Sequence, residues 1–408
     1  MRSTSGRAEA VLAVVIAVAM VVVGGGIVWV LPTVPVYENA AAVPSTAAPA
    51  PVSAYEAAVG ASRQLARALV AANSLPGLSV AVAVDGEIVW AEGFGWADIA
   101  GRTPVTPLTR FRLGALSKPL TAAAVARLLD RGQLDLDAPI QRYVPAYPAR
   151  QWTVTTRQLL GDVAGVHRIR GDNNDAMPDS HCESVGEAVG MLVDDPLLFE
   201  PGTQHRYSIW GWVLVSAVVE GASGEPFGRV MAREVFEPLA MTRTVVAETT
   251  GPDNAHPVYG PRSLVRPQLG VKRVRRPDYS CLAGSGALLS TPTDLVRLGS
   301  AMLKPGFLRA ETIGAFHTPG RLVSGASTTY ALGWTVSTVQ LAGEPVRMIS
   351  HRGSPTGGTA ALFTFPDRGL AVAIAANEAD ATGATPFALQ VAEAFSRPIT
   401  PPSVSQSP

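Results

Sequence analysis

Lys118, Tyr207 and His351 are side chains suited to moving protons, and each stands in a short run of small and polar residues. Lys118 closes the run Phe111-Arg112-Leu113-Gly114-Ala115-Leu116-Ser117-Lys118. Tyr207 opens Tyr207-Ser208-Ile209, which follows Pro201-Gly202-Thr203. His351 begins His351-Arg352-Gly353-Ser354, with Gly357-Gly358 just beyond. Residues three apart on a helix share a face, so an amine at 118 can reach a group at 115. That group is a methyl, and Ala115 cannot attack a carbonyl. Ser117 offers the nearest hydroxyl, but two positions from 115 it projects about 200° away around the helix.

In order and spacing these runs resemble the three motifs of the β-lactamase-related serine hydrolases. That superfamily contains class C β-lactamases, penicillin-binding proteins, D-alanyl-D-alanine carboxypeptidases and related esterases. Phe236-Glu237-Pro238-Leu239-Ala240-Met241 and Tyr330-Ala331-Leu332-Gly333-Trp334 are most similar to the branch containing the mitochondrial lactamase-like serine protease. The resemblance spans roughly residues 54–396. It implies an α+β, β-lactamase/transpeptidase-like fold with a Ser-x-x-Lys motif at a helix start, a Tyr-x-Asn motif, and a Lys-Thr-Gly or His-x-Gly strand walling the cleft. Lys118, Tyr207 and His351 then fall at retained catalytic positions, and Ala115 falls at the position of the acylated serine. Ile209 stands where the family has an asparagine that contacts the substrate. The backbone N–H groups of Ala115 and Ser354 would form the oxyanion hole, which a side-chain change leaves intact. Gly353 would let a substrate backbone approach closely. A further departure lies at Leu159-Leu160-Gly161-Asp162-Val163-Ala164-Gly165, where the family often has Leu-Leu-Ser-His-Thr-Ser-Gly.

Removing the nucleophilic serine of a serine protease lowers turnover roughly a million-fold. About a thousand-fold acceleration over water survives through the oxyanion hole and binding. The sequence therefore reads as a degenerate acyl-transfer cleft that binds a peptide, a peptidoglycan fragment or a small acyl ligand. Two alternatives stand beside it: an active serine hydrolase, peptidase or esterase whose nucleophile is changed to Ala115 in this chain, and an envelope scaffold. No cofactor is expected. The six histidines are scattered without ligand spacing, so no metal site is expected either.

The elements that must position these residues alternate along the chain. Residues 54–72 carry Ala58, Leu65, Leu69 and Val70 at helical spacing. Residues 78–84 and 87–93 read as two strands joined by an Asp85-Gly86 turn. A helix is expected over 119–131, ended by Gly132. The middle, 152–241, reads as mainly helical, with 210–220 its most apolar piece. Strands are expected at 330–336, 346–350, 360–365 and 370–375, and a last helix at 384–395. Strands near both ends with helices between them predict one sheet built from the two chain ends, with an all-helical middle region beside it.

Composition narrows the partners. The chain has 408 residues, and Lys plus Arg equals Asp plus Glu at 33 each, so no net field attracts nucleic acid. Lys272-Arg273-Val274-Arg275-Arg276 reads as a solvated loop. Residues 10–31 are uncharged and long enough to span a bilayer, with Arg2 and Arg7 before them. The expected organisation is a cytoplasmic stretch 1–9, a transmembrane anchor 10–31 and a Pro/Ala-rich linker 32–53. A hydrolase-like domain 54–396 and a disordered tail 397–408 would follow, with the domain on the extracytoplasmic side of a bacterial-type envelope. There, Cys182 and Cys281 either pair or stay as two buried thiols. Oligomeric state is not encoded in any feature of the sequence.

Overall fold

The computed structural model describes residues 19–23, 26–30, 36–49, 53–167, 180–246, 259–260, 271–274, 278–378 and 383–396. Its centre is a sheet drawn from both ends of the chain. β1 (Ser45–Ala47), β2 (Gly77–Val84) and β3 (Glu87–Asp98) come from near the start. β4 (Thr335–Leu341), β5 (Glu344–Gly353), β6 (Thr359–Phe365) and β7 (Leu370–Ala376) come from near the end. The strand order is β4-β5-β6-β7-β2-β3-β1, and every neighbouring pair is antiparallel. The two halves of the chain meet where β7 pairs β2, with Leu370 opposite Val84 and Ala376 opposite Leu78. The expected Asp85-Gly86 turn joins β2 to β3, and both residues take positive φ, 51° and 95°, as a two-residue hairpin turn requires.

The sheet is buried on both faces, and the alternation of side-chain size decides what covers each. Ala371, Ala373 and Ala375 of β7 face the larger cluster, whereas Leu370, Val372 and Ile374 face the other. Small side chains let a helix lie close: a Cβ added at Gly299 would stand 3.2 Å from Ala371 Cβ. The longest helices among the described residues are α1 (Glu56–Ala72), α2 (Ser117–Asp130), α3 (Ile209–Ser223), α4 (Pro292–Ala301) and α5 (Ala384–Ser396), of which α1, α4 and α5 pack on the sheet. Gly299 belongs to α4. α1 and α5 cover the bulky face through Val70, Phe387, Val391 and Phe395.

The middle region is helical as expected but broken into short pieces, Thr156–Leu160, Val185–Gly190, α3 and Phe227–Met231. α3 is its axis. Its residues from Trp210 to Val219 are all buried, as a helix apolar on every side must be. Ser208 caps its start and Gly224, at φ 72°, ends it.

Two expectations change. Residues 330–336 do not form a strand throughout: Ala331 N–H donates to the Trp334 carbonyl at 2.7 Å, Gly333 has φ 89°, and β4 begins at Thr335. The cause is packing. A Cβ on Gly333 would sit 2.8 Å from Trp212 Cη2 and 3.0 Å from Ala122 Cβ, so the chain turns there to pass between two helices. Within the expected transmembrane helix 10–31, the described residues Ala19–Val23 and Gly26–Val30 pair as antiparallel strands. That stretch is rich in β-branched valine, and Gly24, Gly25 and Gly26 are poor helix formers. Its other residues, and 1–9 and 397–408, lie outside the described ones. No helix among the described residues is long and apolar enough to cross a membrane. Of the basic run, Lys272–Arg273 pairs with Tyr259–Gly260, and Arg275 and Arg276 lie outside the described residues.

Candidate active-site cleft

Ala115 sits in the 3-10 turn Gly114–Leu116 that leads directly into α2. Two contacts fix this turn. Leu113 N–H donates to the Leu288 carbonyl at 3.0 Å, and Gly114 adopts φ 52° with no room for a side chain, because an added Cβ would meet Pro355 Cδ at 2.9 Å. From the other side comes the end of β5. A Cβ on Gly353 would lie 1.9 Å from the Leu113 carbonyl oxygen and 3.1 Å from Ala115 N. Gly353 was expected to make room for a substrate backbone. What it makes room for first is the turn that carries Ala115.

A cleft of about 1160 Å³ opens between this turn, the end of β5, residues 205–209 and residues 279–286. Six of the seven residues singled out from sequence line it: Ala115, Tyr207, Ile209, His351, Gly353 and Ser354. Lys118 does not. Its side chain is fully buried behind Tyr207, with Nζ 3.4 Å from the centre of the Tyr207 ring and 5.4 Å from that of Trp212. Nζ also donates to the Ser208 carbonyl at 3.1 Å. Ser117 is excluded as a substitute nucleophile by position. It is buried, its Oγ accepts from Leu288 N–H at 3.2 Å, and it does not line the cleft.

His351 is buried, and burial, reinforced by the charge of Lys118, pushes its imidazole down to about 3. It is therefore neutral near pH 7. Its Nδ1–H donates to the Arg352 carbonyl at 2.9 Å and its Nε2 accepts from the Tyr330 hydroxyl at 3.3 Å. Burial raises the Tyr330 phenol well above its ordinary range, so it stays a donor. Asp162 is also buried, and desolvation pushes its carboxyl up to about 6 against the opposing pull of Lys118. Its Oδ1 accepts from Ser208 N–H at 3.1 Å.

Several lining residues were not anticipated. Tyr330 was visible only inside a family-like phrase, and Arg352 only as the middle of His351-Arg352-Gly353. Tyr279, whose hydroxyl accepts from Thr356 N–H at 2.9 Å, and Ser285, whose buried Oγ has no hydrogen-bond partner among the described residues, carried no sequence signal. Among the described lining residues there is no Asp or Glu. The polar groups are the Arg352 guanidinium, two imidazoles and a set of hydroxyls. No cluster of His, Cys, Asp or Glu among the described residues is placed to hold a metal ion. Cys182 and Cys281 form a disulfide that ties the start of residues 281–286 to the segment before Val185–Gly190.

A mostly antiparallel sheet from both chain ends, a helical region beside it, and a cleft where a helix start meets the last residues of a strand define the β-lactamase/transpeptidase-like fold. The chain belongs to the β-lactamase family: residues 63–393 match the family described as Beta-lactamase. It is 27% identical to the mitochondrial serine beta-lactamase-like protein LACTB of Mus musculus, across 87% of this chain and 83% of that protein. Among solved structures it resembles the octameric penicillin-binding protein homologue from Pyrococcus abyssi, with a TM-score of 0.68, 23% identity and coverage of 81% of this chain and 76% of that one. EstCE1, a hydrolase with promiscuous acyltransferase activity, aligns with a TM-score of 0.69 at 20% identity, covering 84% of this chain and all of that one (100%). These two structures establish the shared fold.

Proposed function

We propose that this protein is a catalytically degenerate member of the family that binds an acyl or peptide ligand reversibly in the former acyl-transfer cleft. The observation that carries the reading is the methyl of Ala115 at the cleft wall, in a turn whose backbone is still clamped by Gly353. Backbone donors at 115 and 354 retain the capacity to receive a carbonyl, while no hydroxyl stands at 115 to attack it. The Arg352 guanidinium, with no Asp or Glu among the described lining residues, favours a ligand bearing a carboxylate, such as a peptide C-terminus or a peptidoglycan stem fragment. The domain spans 54–396. Its placement at a membrane surface belongs to the same proposal and rests on the uncharged run 10–31 alone. Release of the full chain from membranes by alkaline carbonate would remove the anchoring part.

The test of the main reading is intact-mass analysis of the protein after incubation with a fluorophosphonate and, separately, a penicillin, beside calorimetric titration with an acyl-D-Ala-D-Ala peptide. Saturable binding with no mass adduct is the expected result. A covalent adduct on the native protein, or no binding of either class, overturns the reading.

A further inference from the structure

Ser208 joins two charges buried beneath the cleft. Its N–H donates to Asp162 Oδ1 and its carbonyl accepts from Lys118 Nζ, each at 3.1 Å. Its hydroxyl donates to the His167 carbonyl at 2.6 Å and accepts from Gly211 N–H at 2.8 Å, so every polar group of the residue is committed. The backbone of Asp162 is fixed too, while its buried Oδ2 has no hydrogen-bond partner among the described residues. Its own N–H donates to the Leu159 carbonyl at 3.1 Å and its carbonyl accepts from Arg206 N–H at 2.8 Å, with its backbone at φ 54°. Among the described residues, the titratable groups facing Lys118 include Asp162, Tyr207, His205 and His351, with Tyr330 beyond them. Burial together with the lysine charge keeps both imidazoles low. Asp162 is a carboxylate whose charge is felt by the Lys118 ammonium.

We propose that Asp162 is a positioning residue which, through the backbone of Ser208, holds the Lys118 side chain behind Tyr207 as an ammonium at neutral pH. This inference rests on the reading of the cleft as an acyl-binding site. An ammonium has only donors and no lone pair, so it cannot take a proton from an attacking hydroxyl. The cleft is then withheld from acyl transfer twice, by the methyl at 115 and by the engaged lysine behind Tyr207. Putting back a serine at 115 does not by itself restore an enzyme.

The experiment compares fluorophosphonate labelling of Ala115→Ser with that of Ala115→Ser/Asp162→Asn in the full chain. Labelling joins the introduced serine oxygen to phosphorus, expels fluoride and passes the hydroxyl proton to a base. Asparagine keeps the shape of aspartate and tolerates positive φ, so the backbone at 162 has no new strain. Ala115→Ser is expected to label slowly at pH 7, with a rate rising steeply toward pH 9 as Lys118 loses its proton. The double variant is expected to label at pH 7 at least about 100-fold faster, the lower end of what a positioned base contributes. Equal labelling rates in two variants that still bind the acyl peptide overturn the proposal. Where the double variant fails to fold, the pH profile of Ala115→Ser decides alone: a flat profile from pH 6 to 9 overturns it and a steep alkaline rise supports it. Failure of the underlying reading looks different, since it shows in the native protein as an adduct or as absent binding.

Discussion

The Tyr330 hydroxyl donates to Nε2 of His351 across 3.3 Å, and this bond fixes which nitrogen of the imidazole carries its proton. With Nδ1–H turned to the Arg352 carbonyl, His351 presents no charge to the cleft, and a neutral histidine is built into its wall. His351, on strand β5, therefore shapes the site without adding a cation to it.

Acid should weaken the fold through its buried histidines. Burial pushes His351 down to about 3 and His317 down to about 4, below the ordinary 6.5. The unfolded chain takes up these protons between pH 6.5 and those values and the folded chain does not, so stability complete above pH 6.5 is lost as pH falls through that window. Asp162 acts in the opposite sense. Its raised carboxyl is reprotonated in the folded state from about 6 downward, which relieves the burial of its charge. Among the groups shifted farthest in this window, His351 and His317 together outweigh Asp162, so the melting temperature should fall from pH 6.5 to 4. The fall should be shallower in His317→Gln and steeper in Asp162→Asn. A melting temperature that rises on acidification would contradict this.

The Tyr207 ring is the lid over Lys118. Tyr207→Phe keeps the ring against Nζ and should change unfolding free energy by less than about 1 kcal/mol. Tyr207→Ala removes the ring from a buried ammonium and should cost about 2–4 kcal/mol. Urea titration of both variants separates ring from hydroxyl.

Gly353→Ala should damage the cleft more than its single methyl implies. The added Cβ meets backbone, the Leu113 carbonyl oxygen at 1.9 Å, which has no rotamer to yield. The turn holding Ala115 must move, at a cost of at least about 1–3 kcal/mol in overpacking. Calorimetry should show the loss of acyl-peptide binding even at temperatures where circular dichroism reports a folded protein.

The Cys182–Cys281 disulfide closes a segment 99 residues long. By the chain-entropy account a loop of that size is worth about 4–5 kcal/mol. Denaturant titration of Cys182→Ser/Cys281→Ser should show a loss approaching that value, and an unchanged midpoint would refute it.

The sheet was legible in the sequence because its inner strands are apolar runs bounded by turn residues, as at 78–84 and 370–375. Their limits were less so. β3 runs on to Asp98, past the expected end at Gly93, because Gly93 and Gly95 mark close approaches. Added side chains there would strike the Val105 carbonyl at 2.4 Å and the Tyr37 hydroxyl at 2.3 Å. The motif residues were found because their chemistry and order are distinctive. The burial of Lys118, and its link through Ser208 to Asp162, depend on segments far apart in the chain and left no local pattern. The same holds for Ser285 and Tyr279, which reach the cleft only through tertiary packing.

The pairing of Val84 with Leu370 has a consequence for how the protein is made. When the β2–β3 hairpin leaves the ribosome, the strand that will cover the flank of β2 has not been synthesised. At about 5–20 residues per second, that flank stays unpaired for roughly 15 to 60 seconds. Through this interval the growing chain carries an apolar edge open to other chains, and the burden of keeping it single falls on the cell's chaperones.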